Sequence, residues 1–154
     1  MHRFTAKQFI KSDVGSVWSF VSSPKNLAVI TPPHMGFDII DEDDLVTEMY
    51  AGQIIEYYVS PILKIKLHWV TEITHVEKYK YFVDEQRMGP YSFWHHRHFL
   101  KEVNGGVEMT DIVNYKVPLG IMGRIVNGLL IKNQLKSIFD YRYKKIDEIF
   151  NQKN

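Results

Sequence analysis

The sequence predicts an α+β domain in which a curved seven-stranded antiparallel sheet wraps around one long C-terminal helix, with two short helices after the first strand. Three observations lead there. Residues 36–117 alternate between apolar and polar, with turn signals between the runs. After Pro118-Leu119-Gly120 this alternation gives way to a helical pattern from Ile121 to Phe150, in which Ile131, Leu135, Ile138, Ile146 and Ile149 form one apolar stripe. At 154 residues, 45% of them hydrophobic, the chain suits one domain over residues 1–154, because two halves would each fall near the lower limit for a self-sufficient core. A helix of this kind following antiparallel strands has only the sheet on which to bury its stripe.

The elements follow in order. His2–Ile10 reads as a strand with Phe4, Ala6 and Gln8 on one face and Thr5, Lys7 and Phe9 on the other. Asp13 is the expected N-cap of a helix carrying Val14, Val17, Trp18 and Val21 at helical spacing. Ser23-Pro24 ends it and opens a second short helix through Asn26–Ile30, which Thr31-Pro32-Pro33 stops. Strands are expected near Phe37–Asp41, Ile54–Val59, Ile65–Val76, Tyr79–Met88, Ser92–Val103 and Val107–Val117. Gly89-Pro90 turns one hairpin and Asn104-Gly105 the next, the latter suiting a two-residue turn with positive backbone angles.

That second turn fixes a register. Val103 pairs with Gly106, so Trp94 faces Tyr115, His96 faces Val113 and His98 faces Asp111, all on one side. The opposite side carries His95, Arg97, Lys101, Glu108, Asn114 and Lys116 and belongs to solvent. By the same alternation Phe82, Asp84 and Gln86 join the inner face, as do Leu67, Trp69, Thr71 and Ile73. The interior therefore mixes aromatic wall with two acids, two imidazoles and an amide. Since an unpaired buried polar group costs about 1–3 kcal/mol, these groups either pair with one another (His98 with Asp111, His96 with Asp84 or Gln86) or meet a ligand.

Composition excludes several classes. Nineteen Lys+Arg against eighteen Asp+Glu give a net charge of +1, which argues against a nucleic-acid or anionic-membrane binder. With no cysteine there is no disulfide, thiolate metal site or Cys nucleophile. The first residues lack a signal-peptide pattern, and Val117–Ile131, interrupted by Arg124, Asn127 and three glycines, is too short to span a bilayer. A soluble cytoplasmic protein without stable membrane insertion is the expectation. The acidic run Asp41-Glu42-Asp43-Asp44 reads as a solvated turn, and His68, His75 and His95 as exposed.

Several stretches resemble one family. Phe82-Val83-Asp84-Glu85-Gln86-Arg87-Met88-Gly89-Pro90-Tyr91, Trp94-His95-His96-Arg97-His98-Phe99 and Met109–Gly120 are similar to a bacterial branch of the START/SRPBCC helix-grip superfamily, often labelled "cell division inhibitor". Gly52 with Tyr57, Trp69 with Ile73, and Phe139-Asp140-Tyr141-Arg142 extend the resemblance over essentially the whole chain. It implies a helix-grip fold with a deep cavity between sheet and last helix. Members of the superfamily carry lipids, sterols, hormones and polyketides, and some are aromatase/cyclases. No residue here supports a cell-division mechanism.

The leading expectation is binding, without catalysis or cofactor, of a small hydrophobic or amphipathic molecule of lipid-, sterol- or polyketide-like character. Tyr57, Trp69, Phe82, Trp94, Val113 and Tyr115 would supply wall, while Asp84, Gln86, His96, His98 and Asp111 orient a polar group. The alternative is a cyclase-like or hydrolytic enzyme with His98 as base, Asp111 orienting it and Asp84 as acid. A metal alternative uses His96 and His98, roughly 6.6 Å apart along the strand and on the same face, with Asp111 as the carboxylate. A third class is a protein-interaction module. Leu119, Ile121, Met122, Ile125, Val126, Leu129 and Leu130 are more apolar than one helix face requires, so this stretch is a gate over the cavity, a contact surface such as a homodimer interface, or a buried helix start.

Overall fold

The computed structural model describes residues 1–40, 47–60, 65–118 and 130–152. β1 (His2–Ile10) leads into α1 (Val14–Val21), and two 3-10 turns follow at Pro24–Leu27 and Pro33–Met35. Then come β2 (Asp38–Ile39), β3 (Ile54–Val59), β4 (Leu67–Glu77), β5 (Tyr81–Met88), β6 (Phe93–Val103) and β7 (Gly106–Lys116), and finally α2 (Lys132–Phe150). The seven strands form one antiparallel sheet in the order β1-β7-β6-β5-β4-β3-β2. Apart from β1 and β7, every neighbouring pair is consecutive in sequence, so the sheet is a meander closed by its first strand.

Local chemistry sets the boundaries. Asp13 caps α1: its Oδ1 accepts from the Ser16 amide at 2.8 Å and its Oδ2 from the Ser16 hydroxyl at 2.6 Å. Pro24, Pro32 and Pro33 restrict the segment after α1 to single 3-10 turns, so the expected helix at Asn26–Ile30 is replaced by Pro24–Leu27 and Pro33–Met35. β2 keeps only two of the residues expected for it. The helix start expected at Ile121 and the acidic run from Asp41 lie outside the described residues, as does the apolar segment before Leu130, which is itself exposed. No described helix is long and apolar enough to cross a membrane.

The β6–β7 register is the one the Asn104-Gly105 turn dictates, with Val103 opposite Gly106 and His98 opposite Asp111. Gly105 takes φ +84°, which favours glycine. Gly106 is required for a different reason: a methyl group there would run into the Ile10 carbonyl oxygen and lie 3.0 Å from the Phe9 ring. Gly106→Ala is expected to cost about 1–3 kcal/mol, as other overpacked sites do. A urea midpoint unchanged from wild type would contradict so close an approach of β1 to the turn.

Three apolar clusters frame the interior. The largest joins α1, the sheet and the C-terminal half of α2 through Ile10, Trp18, Ile55, Phe82, Val107 and Ile146. A second packs Ile131, at the N-cap of α2, and Leu135 and Phe139 within it on Val113 and Tyr115 of β7. The third gathers Met35, Val59 and Trp69 at the β3–β4 side, with Ile138 against it. The end of α2 is tied to β1, because Gln8 donates to the Tyr143 carbonyl at 2.9 Å and the Lys11 amide donates to Asn151 at 2.7 Å. Between these fixed points the helix spans a space that the side chains do not fill.

Candidate functional site

That space is a cavity of about 140 Å³. Strand alternation puts Tyr57 and Val59 of β3, Trp69, Thr71 and Ile73 of β4, and Phe82 of β5 into its wall, and α2 closes it with Leu135, Ile138 and Phe139. Trp69 stacks on Tyr57 at 5.9 Å between centroids and meets Trp94 edge-on at 5.3 Å, which stiffens one end of the wall. Asp84, His96, His98 and Arg142 bring charge or an imidazole to the lining.

Three adjacent strands bring the polar groups together. Asp84 of β5 stands opposite His96 of β6, and His98 of β6 stands opposite Asp111 of β7. Across these pairs His96 Nδ1 lies 3.3 Å from Asp84 Oδ2, and His98 Nδ1 lies 2.9 Å from Asp111 Oδ1. The diagonals are as close, with His96 Nε2 at 2.9 Å from Asp111 Oδ1 and His98 Nε2 at 2.8 Å from Asp84 Oδ2. Each imidazole therefore bridges both carboxylates, and the rings lie 3.7 Å apart with Phe82 stacked on the outer face of His98 at 4.0 Å. The pairing is denser than either His98–Asp111 or His96–Asp84 alone.

Proton counting explains the distances. Four nitrogen-to-carboxylate contacts need four N–H groups, and two neutral imidazoles supply two. Burial pushes His96 down, and the neighbouring His98 pushes it further, so it stays neutral with one N–H. Burial also opposes charge on His98, but Asp111 and Asp84 together outweigh it and raise its pKa. Three protons then serve four contacts, and the contact left without one is the long one, His96 Nδ1 to Asp84 at 3.3 Å. For both acids burial acts upward, and the two histidines more than reverse it, so Asp84 and Asp111 lie below the usual carboxylate range. Trp94 Nε1 donates to the other Asp84 oxygen at 3.3 Å, and Arg142 Nη1 approaches Asp111 at 3.8 Å. With Arg142 and His98 positive and both acids negative, the cluster is neutral.

The expected site residues divide into two groups. Tyr57, Trp69, Phe82, Asp84, Trp94, His96 and His98 line the cavity. Asp111 lies behind the imidazoles, 2% exposed, and Val113 and Tyr115 pack under the start of α2. Gln86 is engaged in the β5–β6 turn, where it donates to the Tyr91 carbonyl at 2.6 Å and accepts from the Tyr91 amide at 3.2 Å. Arg142 was not among the expected residues, although the sequence carries its signal: with Leu135, Ile138 and Ile146 it falls at helical spacing, making it a cation on the apolar stripe. Its guanidinium lies over the Phe139 ring at 4.9 Å.

No protein-family model matches the sequence, and comparison with curated proteins returns no match. Solved structures do resemble it. Protein CV1439 from Chromobacterium violaceum superposes with a TM-score of 0.73 at 8% identity, covering 99% of this chain and 100% of that one. A START superfamily protein from Mycobacterium smegmatis gives 0.69 at 10% identity, over 97% and 99% of the two chains. Protein Ms6760 from Mycobacterium smegmatis gives 0.68 at 16% identity, over 96% and 89%. The chain has the START-type helix-grip fold.

Proposed function

We propose that the protein uses this fold to bind a small hydrophobic or amphipathic molecule in the cavity between the sheet and α2. The observation that carries the reading is the cavity itself, an aromatic and aliphatic wall with its charged groups gathered at Asp84, His96, His98 and Arg142. Its volume of about 140 Å³ compares with an engineered apolar cavity of about 150 Å³ that holds benzene. The part of the ligand that enters is therefore the size of one ring or a short alkyl chain, smaller than the sterol- or polyketide-like bodies expected from the sequence. The quartet favours binding over proton abstraction. Both nitrogens of His98 lie within 2.9 Å of a carboxylate, which leaves neither free to serve a substrate.

Native mass spectrometry of freshly purified protein, with solvent extraction, tests this reading, and phenol and 4-ethylphenol serve as probes. A ligand at a hundred times its Kd stabilises by about 2.7 kcal/mol, which for a domain of this size raises Tm by about 5–10 °C. A protein that carries no organic mass and whose Tm does not move with single-ring or short-chain amphiphiles would overturn the proposal.

A further inference from the structure

At one point of the cavity lining Asp84, His96 and His98 each offer a ligand atom, and these three atoms lie within 4.8 Å of one another. From Asp84 Oδ2, His98 Nε2 lies at 2.8 Å and His96 Nδ1 at 3.3 Å. A first-row divalent cation held at about 2.0–2.2 Å by nitrogen and oxygen spaces its ligand atoms about 2.9 Å apart at right angles and about 3.4 Å apart in a tetrahedron. The observed separations lie close to these two limits, so little movement is needed to admit an ion.

The far side of the imidazoles is equally specific. Asp111 Oδ1 stands 2.9 Å from His96 Nε2 and 2.9 Å from His98 Nδ1, the two nitrogens turned away from that point. A buried carboxylate accepting both outer N–H groups holds the rings so that His96 Nδ1 and His98 Nε2 both face Asp84, and a cation entering there takes the place of the proton that His98 Nε2 donates to Asp84. The Asp111 contact is the outer support that metal-binding histidines characteristically have.

We propose that Asp84, His96 and His98 bind one divalent transition-metal cation of the zinc or iron(II) class, with Asp111 as the positioning residue for both imidazoles. Asp84 thus takes the ligand role expected of Asp111. Two imidazoles and one carboxylate suit zinc, iron, cobalt or nickel, whereas magnesium and calcium prefer all-oxygen sites. Three protein ligands leave the remaining positions facing the cavity, where a polar group of a bound molecule or water completes the shell. The site does not rest on the organic-ligand reading, because the ion alone is the probe.

Protein stripped with chelator and dialysed is titrated with Co²⁺ near neutral pH, followed by visible absorption, and the metal retained after desalting is measured by elemental mass spectrometry. One equivalent per chain is expected, displaced by Zn²⁺. Asp84→Asn and His96→Ala each weaken binding at least a hundredfold, and Asp111→Asn lowers affinity about 10–100-fold with the stoichiometry kept. His68→Ala, which removes an imidazole paired with Glu56 on the outer face, leaves the titration unchanged. Wild-type protein that takes up no saturable equivalent overturns the proposal whatever the variants do. So does an Asp84→Asn chain that is folded by circular dichroism and binds as tightly as wild type.

Discussion

Replacing Asp111 with alanine will lower the free energy of unfolding by about 3–5 kcal/mol, the range for removing one partner of a buried ion pair. Asp111 is 2% exposed and stands against nitrogens of both His96 and His98, with Arg142 beyond. Without it, His98 keeps Asp84 as its acidic partner among the described residues, Arg142 loses the carboxylate it approaches, and His96 Nε2 loses its hydrogen bond. Asp84→Ala will cost less, because Asp84 borders the cavity with its side chain 16% exposed, where water can replace the lost oxygen. Urea denaturation at constant m-value gives both numbers. An Asp111→Ala loss below about 1 kcal/mol, or one smaller than that of Asp84→Ala, would mean that the quartet is not held together by charge.

The inner face was legible in the sequence because two rules of fixed period act on it. Alternation assigns every second residue to one side, and a two-residue Asn-Gly turn leaves no freedom in the register of the strands it joins. Together they placed Trp94, His96, His98, Asp111, Val113 and Tyr115 on one face, where the structure has them. β5 meets β6 through a longer turn, from Gly89 to Ser92, which imposes no register. The pairing of Asp84 with His96, and hence the closure of the quartet, was therefore open. β4 shows the limit from the other side. Its pairing with β5 slips near Val70 and again near Ile73, an irregularity that alternation alone does not announce.

Depth within the interior was less legible than side. Val113 and Tyr115 point inward as expected, but they pack against Ile131, Leu135 and Phe139 and do not line the cavity. The cavity opens instead toward β3 and β4, where the third cluster holds α2 away from the sheet. Where a helix rests on a curved sheet depends on side-chain volumes at several distant contacts at once, which a periodicity along one strand does not contain. Arg142 is a different case. Its place on the stripe was readable from spacing, and a charge on an apolar stripe signals an acidic partner on the facing sheet, here Asp111.

Filling the cavity from the helix side will separate binding from folding. Ile138 lines the cavity from α2, is only partly buried and packs beside Met35, Val59 and Trp69. In Ile138→Trp the indole has free volume to enter, so the cost to stability stays below the about 1–3 kcal/mol typical of overpacking a filled core. The same indole occupies the space a ring-sized ligand needs. Affinity for phenol-type probes, or retention of any molecule that co-purifies, is expected to fall at least a hundredfold, about 2.7 kcal/mol. Ser137→Trp places the same bulk on the exposed face of α2 and should leave binding unaltered. Equal affinities in wild type and Ile138→Trp would move the ligand out of this cavity, and a loss shared by Ser137→Trp would trace the effect to the helix and not to the volume it encloses.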